Sequence, residues 1–134
     1  MRRARSSDLA GIAGVQAVSA EAAQWDVREY LFYDLIVAAC GERIVGFAVV
    51  RRIVEGEAEL LNLAVHTDFR RHGIGRRLFA ELTSGHSGDL WLEVRESNSA
   101  ARNFYKNLGL NEAGRRPEYY DNSSEAAIVM NFHS

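Results

Sequence analysis

The sequence is poor in several residue types and patterns that would point to particular protein classes. Its 134 residues include one proline and one cysteine, and no apolar run approaches the roughly 18 residues of a transmembrane helix. The formal net charge is −2 at pH 7, which argues against a nucleic-acid-binding protein. The basic start, Met1–Arg5, is followed by polar residues rather than by the apolar core of a secretory signal. We therefore expect neither a membrane nor a direct nucleic-acid partner.

The length and composition indicate a single globular domain over residues 1–134. Hydrophobic residues make up 47% of the chain and charged residues 25%, as in soluble proteins, and the length suits one core. The lone cysteine, Cys40, ends an apolar run, where we expect a buried thiol; a reducing, cytoplasmic setting fits. The four histidines show neither an H-x-x-x-H pattern nor a cluster with cysteines, so we expect no metal site.

Apolar periodicity predicts an α/β fold with a mixed, largely antiparallel sheet flanked by helices. The predicted order is β, α, α, β, β, β, α, β, α, β, β. Strands are predicted at 2–5, 35–40, 44–50, 58–65, 89–95, 111–120 and 126–132. One helix is predicted after the capping residues 6–8, a second over 74–83 and a third after the capping residues 97–99. A less regular piece at 25–33 could be partly loop and line a pocket.

The stretch Arg70–Arg76, between a predicted strand and a predicted helix, has the pattern R-x-x-G-x-G. The first amides of a helix have no internal partner and carry the positive end of its dipole, so they can bind a phosphate or pyrophosphate. Gly73 and Gly75 lack a Cβ, which lets a ligand approach the backbone closely. The spacing fits neither the Walker loop nor the dinucleotide fingerprint. The alternative is an ordinary basic helix entry.

Four segments together resemble the GNAT family of N-acetyltransferases, in the order and spacing of that family within residues 44–132. They are Leu61–Val65, Arg70-x-x-Gly73-x-Gly75, Leu90–Arg95 and Ser97-Asn98-x-x-Ala101-x-x-Phe104-Tyr105-x-x-Leu108-Gly109-Leu110. Within the family they look most like the branch that acetylates the N-terminal alanine of ribosomal proteins. The resemblance implies acetyl-coenzyme A (acetyl-CoA) as co-substrate, and as acceptor the N-terminal α-amine of a protein or peptide, with a ribosomal protein as one candidate.

The resemblance also implies which residues bind the co-substrate. The turn amides would hold its pyrophosphate, the backbone of 63–65 would bond its pantetheine arm as a neighbouring strand does, and Asn98 would contact it. For Asn98, a helix N-cap is an equally good explanation. The implied cofactor-binding residues are Leu63, Ala64, Val65, Arg70, Arg71, His72, Gly73, Ile74, Gly75, Arg76 and Asn98.

For catalysis the resemblance implies Glu93 as the base, acting directly or through a water, and Tyr105 as the proton donor to the leaving thiolate. An α-amine has a pKa of about 7.7–8.0, so a weak base suffices near pH 7. A carboxylate in the middle of an apolar strand is costly when unpaired, and the alternative role of Glu93 is a salt bridge to an arginine such as Arg95. The alternative role of Tyr105 is a core aromatic residue whose hydroxyl reaches a partner.

The acceptor is the least determined part of this prediction. Trp25, Tyr119 and Tyr120 are implied to bind it, although edge-strand packing would also explain the two tyrosines. The N-terminal third departs from the family branch, with Gln24-Trp25-Asp26 where that branch has a proline-tryptophan-serine pattern. A small-molecule amine, a lysine side chain, or a non-catalytic acyl-CoA-binding module therefore stay open as alternatives.

Overall fold

The computed structural model describes residues 1–19, 22–54, 56–70, 72–84, 88–120 and 125–133, without the side chains of residues 54, 118–120 and 125. Seven strands and three α-helices follow one another in nearly the predicted order. The strands are β1 (Arg2–Arg3), β2 (Asp34–Cys40), β3 (Arg43–Val54), β4 (Glu57–Val65), β5 (Asp89–Arg95), β6 (Asn111–Tyr120) and β7 (Glu125–His133), and the helices are α1 (Leu9–Val18), α2 (Ile74–Thr83) and α3 (Ser99–Leu108). The less regular piece at 25–33 forms a 3-10 helix, Val27–Phe32.

The strands form one sheet in the order β1-β2-β3-β4-β5-β7-β6. Every neighbouring pair is antiparallel except β4 and β5, which are parallel because α2 crosses over between them. The predicted mixed, largely antiparallel sheet is confirmed, and so is the edge hairpin that ends the chain. The inserted β7 separates β5 from β6, so side chains of β6 must cross β7 to reach β5.

Two apolar clusters cover the two faces of the sheet. One packs α2 and α3 through Leu78, Phe79 and Tyr105, and takes Leu90 and Leu92 from β5. The other packs α1 and the 3-10 helix and includes Ile12, Val15, Tyr30 and Phe47. The predicted alternation along β5 is thereby confirmed: Leu90 and Leu92 are buried on one face, and Glu93 lies on the other.

Strands β4 and β5 are paired only at their starts. The paired residues are Glu57 with Asp89, Ala58 with Leu90, and Glu59 with Trp91. Beyond this point β5 stays paired with β7, whereas β4 stays paired with β3 and has a bulge there, since Val49 faces Asn62 while Val50 faces Leu60. A bulge adds twist and bends a strand. The two strands therefore diverge, and a cleft opens between them.

The expectation of a buried thiol at Cys40 is wrong, because Cys40 is exposed. It ends β2, directly before the turn at Gly41. A bulge between Ala38 and Ala39 shifts the register of β2 against β3, and Ala39 and Cys40 are both exposed beyond it. The apolar run in the sequence therefore extends beyond the buried part of β2.

Candidate active site

A cavity of about 540 Å³ fills the cleft where β4 and β5 diverge. Its walls are residues 59–62 of β4, residues 92–95 of β5, and residues 22–25 of the connection after α1. Asn98 and Tyr105 complete it from the start and the middle of α3. The cavity thus brings together four of the residues predicted from the sequence: Trp25, Glu93, Asn98 and Tyr105.

Glu93 places a carboxylate at this cavity. Its side chain is only 10% exposed, and its Oε1 accepts a hydrogen bond from Arg116 Nη1 at 2.5 Å. Its Oε2 is buried and has no hydrogen-bond partner among the described residues. A salt bridge to an arginine, the alternative role given above, is present, but its partner is Arg116 of β6 rather than Arg95. A buried carboxylate oxygen without a partner is costly, so Oε2 is available to a donor that enters the cleft.

Tyr105 is buried in α3, with 3% of its surface exposed, and lines the same cavity. Its ring meets that of Phe104 edge-on, with centroids 5.3 Å apart. It belongs to the apolar cluster between the sheet and α3, as the core alternative requires. Its position at the cavity also suits a proton donor, so its catalytic role stays a prediction.

Asn98 caps α3. Its side-chain oxygen accepts a hydrogen bond from the amide of Ala101 at 3.0 Å, which satisfies one of the free amides at the helix start. The N-cap alternative is therefore confirmed. Because Asn98 also lines the cavity, a contact with the co-substrate stays a prediction.

The predicted phosphate turn has the expected geometry at Gly73. Gly73 is the N-cap of α2 with φ of 73°, and the first intrahelical bond runs from Arg77 N to Gly73 O at 3.0 Å. The amides of Ile74, Gly75 and Arg76 thus precede the first bond that the helix makes. A Cβ at Gly73 would meet no atom of the described residues within 4 Å, so these residues leave the space above the turn open to a ligand.

At Gly75 the missing side chain also serves helix packing, and its predicted role in binding the co-substrate stays a prediction. A Cβ there would lie 3.3 Å from Cζ of Phe104, so the missing side chain lets α2 pack closely on α3. Arg70 is also engaged within the protein: its Nε donates to Val65 O at 3.2 Å, and its guanidinium lies 5.7 Å from the centre of the Phe104 ring. His72 and Arg76 are exposed, and Arg71 lies outside the described residues.

The end of β4 leads from the cleft to this turn. Leu63, Ala64 and Val65 are buried and are paired with β3. On the other edge of β4, Leu63 and Ala64 are not paired with β5, so the backbone there can bond an extended ligand that carries amides. The Val65 carbonyl already accepts bonds from Arg70 and from Ser19 Oγ, each at 3.2 Å.

On the acceptor side, Trp25 is half exposed at the cavity. Tyr119 and Tyr120 belong to β6, but their side chains lie outside the described part of the chain. The sequence analysis missed Arg116, and it also missed a buried polar cluster of Gln16, Tyr30 and Asn62 behind residues 22–25. The signal for that cluster was present, since Asn62 interrupts an apolar strand and Gln16 lies on an apolar helix face.

Within the described ranges, no group of three or more His, Cys, Asp or Glu side chains is placed to hold a metal ion. Nor does that part of the chain contain a helix with the length and apolar character needed to cross a membrane.

Comparison with known proteins gives a consistent result. The model of the acetyltransferase (GNAT) family matches residues 11–110. The [ribosomal protein bS18]-alanine N-acetyltransferase of Salmonella typhimurium is 43% identical over 95 residues, which cover 66% of this chain and 64% of that protein. The match therefore spans a little under two thirds of the length of this curated relative.

Two solved structures resemble the chain over nearly its whole length. The ribosomal-protein-S18-alanine N-acetyltransferase from Escherichia coli superimposes with a TM-score of 0.77 and 30% identity, covering 98% of this chain and 91% of that one. Ard1 from Thermoplasma volcanium gives a TM-score of 0.80 and 26% identity, covering 98% of this chain and 95% of that one.

Proposed function

The chain belongs to the acetyltransferase (GNAT) family, and from this premise we propose that it is an N-acetyltransferase. It transfers the acetyl group of acetyl-CoA to the N-terminal α-amine of a protein or peptide, with alanine as the first residue. The whole chain, residues 1–134, acts as one domain.

The observation that carries this proposal is the pairing of a carboxylate and a phenol at one cavity. Glu93 comes from β5 and Tyr105 from α3, and both line the cleft between β4 and β5. Amine acylation needs a group that accepts a proton and a group that donates one. Glu93 Oε2, buried and without a partner in the described part of the chain, supports the first role.

The reaction balances with these two groups. The acceptor nitrogen attacks the thioester carbonyl carbon, so that a C–N bond forms and the C–S bond breaks. Glu93 receives the proton that the amine loses, directly or through a water, and Tyr105 donates its proton to the departing thiolate. The α-amine has a pKa of about 7.7–8.0, so part of it is already neutral near pH 7 and a weak base is enough to deprotonate the rest.

The co-substrate fits the turn and the strand edge described above. The amides of residues 71–76 hold the pyrophosphate, and the open position at Gly73 lets it approach the backbone. His72 and Arg76, both exposed beside it, add hydrogen-bonding and charge. The backbone of residues 63–65 bonds the pantetheine arm. Arg70 bonds the end of β4 and Asn98 caps α3, and both also contribute to binding of the co-substrate.

The acceptor is proposed from the relatives and from the shape of the cleft. The relative from Salmonella typhimurium is named for the alanine of ribosomal protein bS18. A ribosomal protein is accordingly the acceptor that we propose, which puts the reaction in the cytoplasm. Trp25, Tyr119 and Tyr120 form the acceptor side of the site, where aromatic rings give contact area to an extended peptide.

Product analysis tests the function directly. The purified chain is incubated with acetyl-CoA and an alanine-starting peptide, the same peptide with a blocked N-terminus and an internal lysine, or a panel of polyamines and aminoglycosides. Mass spectrometry should find the acetyl group on the N-terminal alanine alone. Acetylation of lysine or of small amines only would favour another acceptor, and binding of acetyl-CoA without any turnover would favour a binding module.

A further inference from the structure

Three buried polar side chains meet behind the wall of the cleft that is formed by residues 22–25. They are Gln16 of α1, Tyr30 of the 3-10 helix and Asn62 of β4, and none is more than 5% exposed. They lie beside the apolar cluster under α1, where a polar group without a partner would be costly. None of the roles proposed above uses them.

The three side chains bond to one another. Tyr30 donates its hydroxyl proton to Gln16 Oε1 at 2.5 Å. Asn62 Nδ2 donates to the Tyr30 hydroxyl oxygen at 2.9 Å, and Gln16 Oε1 lies farther from the same nitrogen, at 3.3 Å. Burial raises the pKa of Tyr30 above its ordinary value, so its hydroxyl is protonated and can donate near neutral pH.

The same cluster holds the backbone of the wall. The Asn62 amide pairs with both backbone groups of Ala23: Ala23 N donates to Oδ1 at 3.2 Å, and Nδ2 donates to Ala23 O at 2.9 Å. Gln16 Nε2 donates to Trp25 O at 2.7 Å, and Gln24 Nε2 donates to the Gln16 carbonyl at 2.8 Å. Side chains from β4 and α1 thus fix the backbone of Ala23 and of Trp25, and Gln24 between them is tied to the α1 backbone through its own side chain.

This arrangement matters because the wall has no regular secondary structure. Ala22 N donates to Ser19 O at 3.2 Å, and buried side chains supply the partners of the Ala23 backbone groups and of Trp25 O. Asn62 also lies at the bulge where β4 turns away from β5, and it lines the cavity. The cluster therefore connects the divergence of the strands with the position of Trp25.

We propose that Gln16, Tyr30 and Asn62 form a clamp that positions the acceptor peptide by fixing the wall at 22–25. The inference rests on the proposed function and deepens it. The clamp holds Trp25, so that its half-exposed indole and the backbone beside it orient the first residues of the acceptor against Glu93. Tyr30 and Gln16 do not line the cavity, so they are positioning residues that act through the wall.

The sharpest variant is Tyr30→Phe, because it removes one hydroxyl and keeps the ring that packs on Phe47 with centroids 5.7 Å apart. Loss of this bond loosens both Gln16 and Asn62. We expect KM for the acceptor peptide to rise by about fivefold or more, the size of one lost hydrogen bond, whereas the Kd for acetyl-CoA changes by less than about twofold. Asn62→Ala should act in the same direction and more strongly.

Ile12→Val is the matched control. Ile12 is fully buried in the apolar cluster under α1 but makes no polar contact with the wall, so this variant loses packing and keeps the clamp. It should leave the KM for the acceptor unchanged. An equal rise of the acceptor KM in Ile12→Val and Tyr30→Phe, or an unchanged KM in Tyr30→Phe, would overturn the clamp.

Hydrogen exchange separates this inference from the proposed function, because it needs no substrate. In Tyr30→Phe and Asn62→Ala the amide of Ala23 should exchange about tenfold faster or more, while the amides of β3 keep their protection. If exchange rises in this way but the wild-type chain acetylates no peptide, the clamp stands and the acceptor assignment fails. Unchanged exchange at Ala23 in both variants contradicts the clamp whatever the activity.

Discussion

Arg116 reaches across a whole strand to hold Glu93. Its Nη1 lies 2.5 Å from Glu93 Oε1, although β7 separates β6 from β5 and the two residues are 23 positions apart. The ion pair fixes one oxygen of the carboxylate and leaves the other, Oε2, buried without a partner in the described part of the chain. A base needs this combination of a fixed orientation and one free lone-pair direction.

We predict that the effects of Arg116 and Glu93 are coupled. Arg116→Gln should lower kcat/KM by about tenfold or more, because a buried carboxylate loses the partner that orients it. In a Glu93→Gln background the same change should have little effect. A double-mutant cycle on kcat/KM measures this, and the coupling should exceed about 1 kcal/mol. Additive losses would mean that Arg116 acts on the acceptor independently of Glu93.

If Glu93 accepts the amine proton, Glu93→Gln should lower kcat/KM by about 10² at pH 7 while keeping the affinity for acetyl-CoA. Raising the pH should restore part of the loss, with the largest gain near the amine pKa of about 8, because more of the amine is then neutral. The measurements are a pH–rate profile and a thermal midpoint. A destabilised variant with wild-type activity per folded molecule would assign the ion pair to stability alone.

Tyr105→Phe should lower kcat by about 10² with little change in stability, because it removes the proton donor and keeps the ring against Phe104. Steady-state kinetics and calorimetry with acetyl-CoA measure the two effects. Tyr30→Phe is an informative comparison, since both tyrosines are buried but Tyr30 should affect the acceptor KM. A near-normal kcat in Tyr105→Phe would leave Tyr105 as a core residue.

Gly73→Ala should weaken acetyl-CoA binding by about tenfold, or about 1.4 kcal/mol, because its Cβ occupies the open space above the turn. Gly41→Ala is the matched control. Gly41 also has a positive φ, 64°, and open space around a Cβ, but it lies in the turn between β2 and β3. Both variants share the backbone strain, and calorimetry should show lost affinity in Gly73→Ala alone.

The ion pair between Asp8 and Arg2 should stabilise the N-terminal segment. Two hydrogen bonds from Arg2, at 2.7 and 2.9 Å, and one from the Arg5 amide lower the pKa of Asp8 to about 2. Because the pKa of Asp8 is lower in the folded state, its ionised carboxylate stabilises the folded protein at pH values above the unfolded pKa of about 3.9. This stabilisation is lost as the pH falls to about 2. Asp8→Asn should therefore lower Tm by a few degrees at pH 7, and the two melting curves should converge near pH 2. A constant difference in Tm from pH 7 to pH 2 would contradict this.

Much of the fold could be predicted because its signals are local. Ile74, Leu78 and Leu82 recur at helical spacing, and α2 spans the predicted residues. The alternation of Leu90 and Leu92 with polar neighbours predicted β5 with its bounds. The turn at Gly73 was recognisable because a positive φ at a helix start selects glycine.

The rest was decided by the tertiary structure, because it depends on which elements become neighbours. The sequence indicated an arginine partner for Glu93, but the insertion of β7 between β5 and β6 selects Arg116. The sequence did not show that Gly75 also lies against Phe104, because that contact follows from the packing of α3 on α2. Periodicity in a sequence shows which side of an element is buried. Sheet order and helix packing decide which side chains then meet, and those contacts place Glu93, Tyr105 and the wall at 22–25 around one cleft.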